Sequence, residues 1–124
     1  MSAADNKQAA QDGYAAFSRG DAEQAMANIS DSIEWVVGGD NAATGTYNGK
    51  QEVGAYWAQL AEKGFQIEPR EFIAEGDKVM VRGTGSAGGD QAESVSVLTY
   101  DDSGQLVRFE TFGGEDLLDK TFPR

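Results

Sequence analysis

The chain predicts an α+β fold in which helices gather on one face of a curved, antiparallel sheet. Three observations lead there. Apolar residues recur at helical spacing in much of the first half, the period becomes two from Phe65 onward, and short turns rich in Gly and Asp join the later runs.

Ala9, Ala10, Tyr14 and Phe17 fall near one helical face, which predicts an amphipathic helix over 4–18. Gly20 ends it, and Asp21 stands where a second, short helix to about residue 28 would be capped. Gln24, three residues on, completes a pattern like a capping box. Ile33, Trp35 and Val37 then alternate with Ser32, Glu34 and Val36, the signature of a strand. A loop containing Gly38, Gly39, Asn41 and Gly45 follows. Asn48 and Gln51 repeat the capping pattern, and Val53, Tyr56, Trp57 and Leu60 build one aromatic face of a third helix closing at Lys63-Gly64. The segments 65–74, 78–86, 94–100 and 105–112 read as strands. Glu75-Gly76-Asp77 and Asp101-Asp102-Ser103-Gly104 are turns between antiparallel neighbours, and Gly88-Gly89-Asp90 is a looser connection. The 124 residues suit one domain over 1–124.

Composition narrows the chemistry. The chain has no histidine and no cysteine, which removes the usual neutral-pH proton shuttle, thiolate nucleophiles, zinc–thiolate sites and disulfides. Catalysis would have to use carboxylates, hydroxyls, Arg, Lys or Tyr. With 21 acidic and 10 basic residues the formal charge is −11, a field that repels nucleic acid and anionic membrane surfaces. No charged-then-apolar leader opens the chain and no apolar run approaches a membrane span, so a cytoplasmic protein is expected. No cofactor and no metal is expected. Gly83-Thr84-Gly85 lies inside a strand and precedes no helix, unlike a phosphate loop, and Asp101-Asp102 is turn chemistry.

Several local features carry a resemblance. They are Gly20-Asp21 after the first helix, Gly45-Thr46-Tyr47-Asn48-Gly49-Lys50 before the third, and Gly104-Gln105-Leu106-Val107-Arg108-Phe109 entering the last strand. With the element order, they resemble the nuclear transport factor 2-like superfamily, in particular its SnoaL-like and ketosteroid-isomerase-like bacterial members, over roughly residues 6–115. The resemblance implies a cone: a curved antiparallel sheet closed by three N-terminal helices around an apolar cavity, dimerising through the sheet's other face.

Mapped onto that cone, the inward set is Tyr14, Phe17, Trp35, Val37, Tyr56, Trp57, Met80, Arg82, Thr84, Ser94, Ser96, Leu98, Phe109 and Thr111. An aromatic stripe is ordinary core as readily as a ligand cage. Hydroxyls and an arginine on one concave surface are costly unless solvent or ligand satisfies them. Arg82 is the candidate that would meet a carboxylate, carbonyl or phenolate oxygen if it points inward, and Tyr14 the second candidate to polarise a ligand oxygen. If it points outward, Arg82 would pair with surface acids.

The family's acid–base schemes lose their carboxylates here. The ketosteroid-isomerase base falls at about Val37 and its acidic oxyanion donor at Ser96, while its tyrosine falls near Tyr14. The limonene-epoxide-hydrolase arginine matches Arg82, but its two aspartates fall at Thr84 and Thr111; threonine cannot do a carboxylate's work near neutrality. The SnoaL-like cyclase aspartate falls at Gly113 or Gly114. A register slip of one residue would bring Glu110, Glu115 or Asp116 into play. Two functions follow: a pocket protein for a small apolar or aromatic molecule, isomerising, cyclising or hydrating it if catalytic, or a non-catalytic binding or dimerisation module.

Overall fold

The computed structural model describes residues 2–124. In chain order its elements are α1 (Ala3–Ser18), α2 (Ala22–Ala25), β1 (Ile29–Val37), β2 (Gly45–Asn48), α3 (Gly49–Glu62), β3 (Gln66–Glu75), β4 (Lys78–Ala87), β5 (Asp90–Tyr100), β6 (Leu106–Phe112) and α4 (Glu115–Thr121). The α+β cone expected from sequence is present. Two elements go beyond it: the short strand β2 and the C-terminal helix α4.

Local chemistry sets the helix ends. Ser2 and Asp5 form a reciprocal capping box on α1. Asp21 accepts from the Gln24 amide at 3.1 Å and caps α2, as expected. Asn48 does not cap α3 with its side chain. Glu52 instead reaches back to accept from the Asn48 amide at 2.9 Å.

The strands form one curved, unclosed sheet in the order β2-β1-β6-β5-β4-β3. Neighbours from β3 to β6 are antiparallel, as the turns predict. β1 pairs with β6 in parallel, because the chain between them passes through α3 and the whole meander. A bulge interrupts β3: Pro69 faces Gly83 and Glu71 faces Arg82, leaving Arg70 as the extra residue.

Register decides which side chains meet the helices. Paired residues share a face, so Val81 and Ser96 point inward together, while Arg82 and Val95 point outward together. Ile33 of β1, Val53 of α3 and Val79 of β4 are fully buried. Among the described residues no helix is long and apolar enough to cross a membrane.

Ile33→Ala should destabilise the chain by about 2–5 kcal/mol through lost burial and a residual cavity. Equilibrium urea denaturation checks this, and a loss below about 1 kcal/mol would contradict the packing described.

Candidate functional site

The concave side of the sheet and the helices over it enclose two adjoining chambers, each of about 80 Å³. That is room for several waters or a small part of an organic ligand. Tyr14, Trp35, Leu60, Ile67 and Phe109 line both, so the chambers are neighbours across a shared wall.

An aromatic chain builds that wall. Trp35 of β1 stacks on Phe109 of β6, with ring centroids 3.7 Å apart and planes 7° apart. Parallel pairing of β1 with β6 puts these residues side by side, which is why they stack. Trp57 meets the edge of Trp35 at 5.5 Å, and Phe17 meets Trp57 at 5.3 Å. Phe17, Trp57, Leu98 and Tyr100 complete the inner chamber, with Asn28 at its margin. It is almost wholly apolar.

The second chamber is mixed. Val37, Tyr56 and Leu117 supply apolar wall, and Ser94, Ser96 and Thr111 supply hydroxyls. Ser96 and Thr111 are directly paired across β5 and β6, and their hydroxyls hydrogen-bond at 2.8 Å. The Tyr14 hydroxyl lies close enough to Ser96 on the other side to interact with it. Ser96 and Thr111 carry two protons and use one between themselves, and Tyr14 carries a third, so the row can donate to a ligand oxygen. Burial pushes the Tyr14 hydroxyl up from 10.0 to about 12, with Ser96 opposing the shift. It is a neutral donor near pH 7. Burial raises Tyr56 and Tyr100 in the same direction.

Glycine makes room for this chamber. The inward positions of β4 opposite Ser94 and Ala92 are Gly83 and Gly85. A Cβ at Gly83 would stand 3.0 Å from the Glu68 carbonyl oxygen, and one at Gly85 3.0 Å from the Phe65 ring.

α4 forms the outer part of the wall. Gly113 and Gly114, with φ of 86° and 76°, turn the chain out of β6 into it, a conformation side-chain-bearing residues rarely adopt. Leu117, Leu118 and Glu115 then face the chamber. Asp119 holds the helix down: one carboxylate oxygen accepts from the Asp40 amide and from the Asn41 side chain, each at 2.9 Å. Those bonds, led by Asn41 and helped by Arg124, hold the Asp119 carboxyl below its usual range. The Ala42 amide donates to the Phe122 carbonyl at 2.8 Å, adding a second tie.

Of the residues expected to face inward, Tyr14, Phe17, Trp35, Val37, Tyr56, Trp57, Ser94, Ser96, Leu98, Phe109 and Thr111 line a chamber. Met80, Arg82 and Thr84 do not. They lie on the opposite face of the sheet, because β4 turns Val79, Val81, Gly83 and Gly85 inward. Arg82 pairs there with Glu71 at 3.3 Å and Glu93 at 3.2 Å. With the Arg82 side chain 46% exposed, such pairs contribute at most about 1 kcal/mol. Thr84 accepts from Arg70 on the same face. Arg82 and Thr84 are therefore separated from Thr111 by the thickness of the sheet, so the epoxide-hydrolase constellation is not assembled. Arg108 makes a matching outward bridge between Glu34 and Glu110.

Tyr100 and Glu115 are among the lining residues that lie outside the inward set predicted from sequence. Tyr100 shares the parity of Ser96 and Leu98, so the strand pattern already carried it. Glu115 sits on a helix whose sequence signals were present: two glycines, then acids in the first turn and Lys120 in the last. Among the described residues it is the only charged one lining either chamber. Its carboxylate accepts from the Gly113 amide at 3.1 Å. Among the described residues no cluster of side chains has metal-binding composition.

The SnoaL-like domain model matches residues 10–109, most of the chain and both sides of the cavity. The chain belongs to the SnoaL-like family. Solved structures agree on the fold. A nuclear transport factor 2-like protein of unknown function from Burkholderia pseudomallei is 25% identical, with a TM-score of 0.83 and all of each chain covered. TerC, co-crystallised with polyporic acid, is 25% identical with a TM-score of 0.83, covering 94% of this chain and 97% of its own. Bal32a, from a soil-derived mobile gene cassette, is 21% identical with a TM-score of 0.83 and 98% coverage of both, and is similar in fold. No functionally curated protein shows a significant sequence match.

Because folding raises the proton affinity of Tyr14, folded chains hold its proton where unfolded chains release it. Stability from this group is complete below pH 10 and is lost as pH rises from 10 toward about 12. Phenolate absorbance should therefore lag and then appear together with loss of far-ultraviolet circular dichroism. Titration of all tyrosines near pH 10 in a still-folded chain would contradict the burial.

Proposed function

We propose that this SnoaL-like chain binds a small, mainly apolar cyclic or aromatic molecule inside the cone. One observation carries the reading: an aromatic-walled chamber adjoins, across a shared wall, a second one that contains the Tyr14–Ser96–Thr111 hydroxyl row. Apolar burial gives such a ligand its affinity, and the row's spare proton orients an acceptor oxygen on it. If chemistry takes place, isomerisation, cyclisation or hydration suits the groups present. Tyr14 would donate a hydrogen bond to the developing charge, and Glu115 would be the carboxylate within reach of the chamber. Arg82 has no part in this reading, because its carboxylate partners hold it on the outer face.

The rival reading is a binding or dimerisation module without catalysis. It is favoured by Val37, Ser96, Thr84 and Thr111, which stand where related schemes use carboxylates. Both readings include a homodimer through the outer face of the sheet. That face exposes Ile73, Met80, Val95 and Phe112, with exposures from 36% to 55%, beside the bridges of Arg82 and Arg108. Apolar patches rimmed by charge are surfaces that associate.

Trp35 and Trp57 both line the inner chamber and report its occupancy directly. Titration with small cyclic ketones and phenols should change their fluorescence saturably. Tyr14→Phe and Ser96→Ala should each weaken binding of an oxygen-bearing ligand by about five- to ten-fold while leaving its hydrocarbon analogue little changed. Equal losses for both ligands would overturn the role of the hydroxyl row. For the dimer, sedimentation at micromolar concentration should give twice the chain mass, and Phe112→Asp should give a folded monomer. A monomeric parent chain would count against it.

A further inference from the structure

The charge of the cavity points to a more specific ligand. With Arg82 on the outer face, neither chamber has a lysine or arginine among the described residues of its lining, and Glu115 is the one ionisable acid or base among them apart from tyrosine. Among the described residues Glu115 makes no ion pair; its hydrogen bond comes from the Gly113 amide. Cations near this end of the cone are already engaged, Lys120 by Asp90 and Arg124 by Asp40. A half-buried carboxylate beside hydroxyls, without a cation, is an arrangement that a positively charged ligand group would complete.

Three other observations point the same way. The inner chamber is walled by indole, phenol and phenyl rings, whose faces attract cations and accept hydrocarbon rings alike. Ser94, Ser96 and Thr111 offer hydroxyl lone pairs as further acceptors for an ammonium. The whole chain carries a charge of −11, which raises the local concentration of cations and depresses that of anions.

We infer that the cavity selects an amine: its ring occupies the aromatic chamber, and its ammonium group lies in the second chamber against Glu115. This rests on the binding reading above and adds the ligand's charge to it. Carboxylate and phosphate ligands in the second chamber would meet the charge of Glu115 and are disfavoured; Lys120 borders Glu115 only in a separate polar surface pocket, where it pairs with Asp90.

The test is a matched series read by tryptophan fluorescence: phenethylamine, phenylpropylamine and phenylbutylamine, the alkylbenzenes of equal length, and the corresponding phenylalkanoates. The best amine should bind at least about ten-fold more tightly than its alkylbenzene, and the phenylalkanoate more weakly than both. Glu115→Gln should bring amine and alkylbenzene to within about two-fold of each other. Asp116→Asn, an equal change in net charge at the exposed neighbour, should preserve the preference. The charge assignment is overturned if alkylbenzenes bind and amines gain nothing, if phenylalkanoates equal the amines, or if Asp116→Asn erases the preference as fully as Glu115→Gln. If no member of the series binds, whatever its charge, the cavity reading falls and takes this inference with it. The comparison in the parent chain stands alone even if Glu115→Gln folds poorly.

Discussion

The stack of Trp35 on Phe109 joins two parts of the chain that would otherwise be separate units. On one side lie β1, β2 and α3; on the other lies the β3–β6 meander. Their seam is the parallel β1–β6 pairing, with Trp35 directly opposite Phe109. The contact contributes through the apolar area it buries. Its larger effect is geometric. By occupying the shared wall, the two rings set where one chamber ends and the next begins, and through Trp57 and Phe17 they tie that boundary to α3 and α1.

Around this seam the molecule segregates its polar chemistry by face. The guanidinium groups of Arg82 and Arg108 lie outside, where water and paired carboxylates solvate them; the Ser96 and Thr111 hydroxyls lie inside, where each satisfies the other. The energetic logic is plain. An arginine carried into the apolar cone would require its carboxylates to follow, whereas a hydroxyl left without a partner costs only about 1–3 kcal/mol and a neighbouring hydroxyl removes that cost. Ser96, at 6% exposure, is the case in point, since Thr111 and Tyr14 flank it.

Most of the fold was legible in the sequence because helical and two-residue periods are strong over long segments. The face of β4 was not. Its inward set of Val79, Val81, Gly83 and Gly85 includes two glycines with no hydrophobic signal, while Met80 on the outer face supplies a misleading one. The register supplies the missing constraint, since Arg82 pairs with Val95 and cannot share a face with Ser94 and Ser96. β2 was hidden because its four residues are largely exposed and carry no alternation. α4 was hidden because it is short and follows two glycines, and with it went Glu115, which depends on that helix for its place in the wall.

The bulge at Arg70 gives β3 two reading frames. Ahead of it, odd-numbered Ile67 and Pro69 face the helices; beyond it, even-numbered Phe72 and Ala74 do. One strand thereby contributes Ile67 to the chambers and Phe72 to the edge contact with Tyr14, while Glu68 and Glu71 both stay in solvent. Removing Arg70 would merge the frames into one regular alternation with Phe72 and Ala74 still inward, since Pro69 and Phe72 would then stand two places apart. The strand can therefore lose a residue at that one point and keep both of its inward sets.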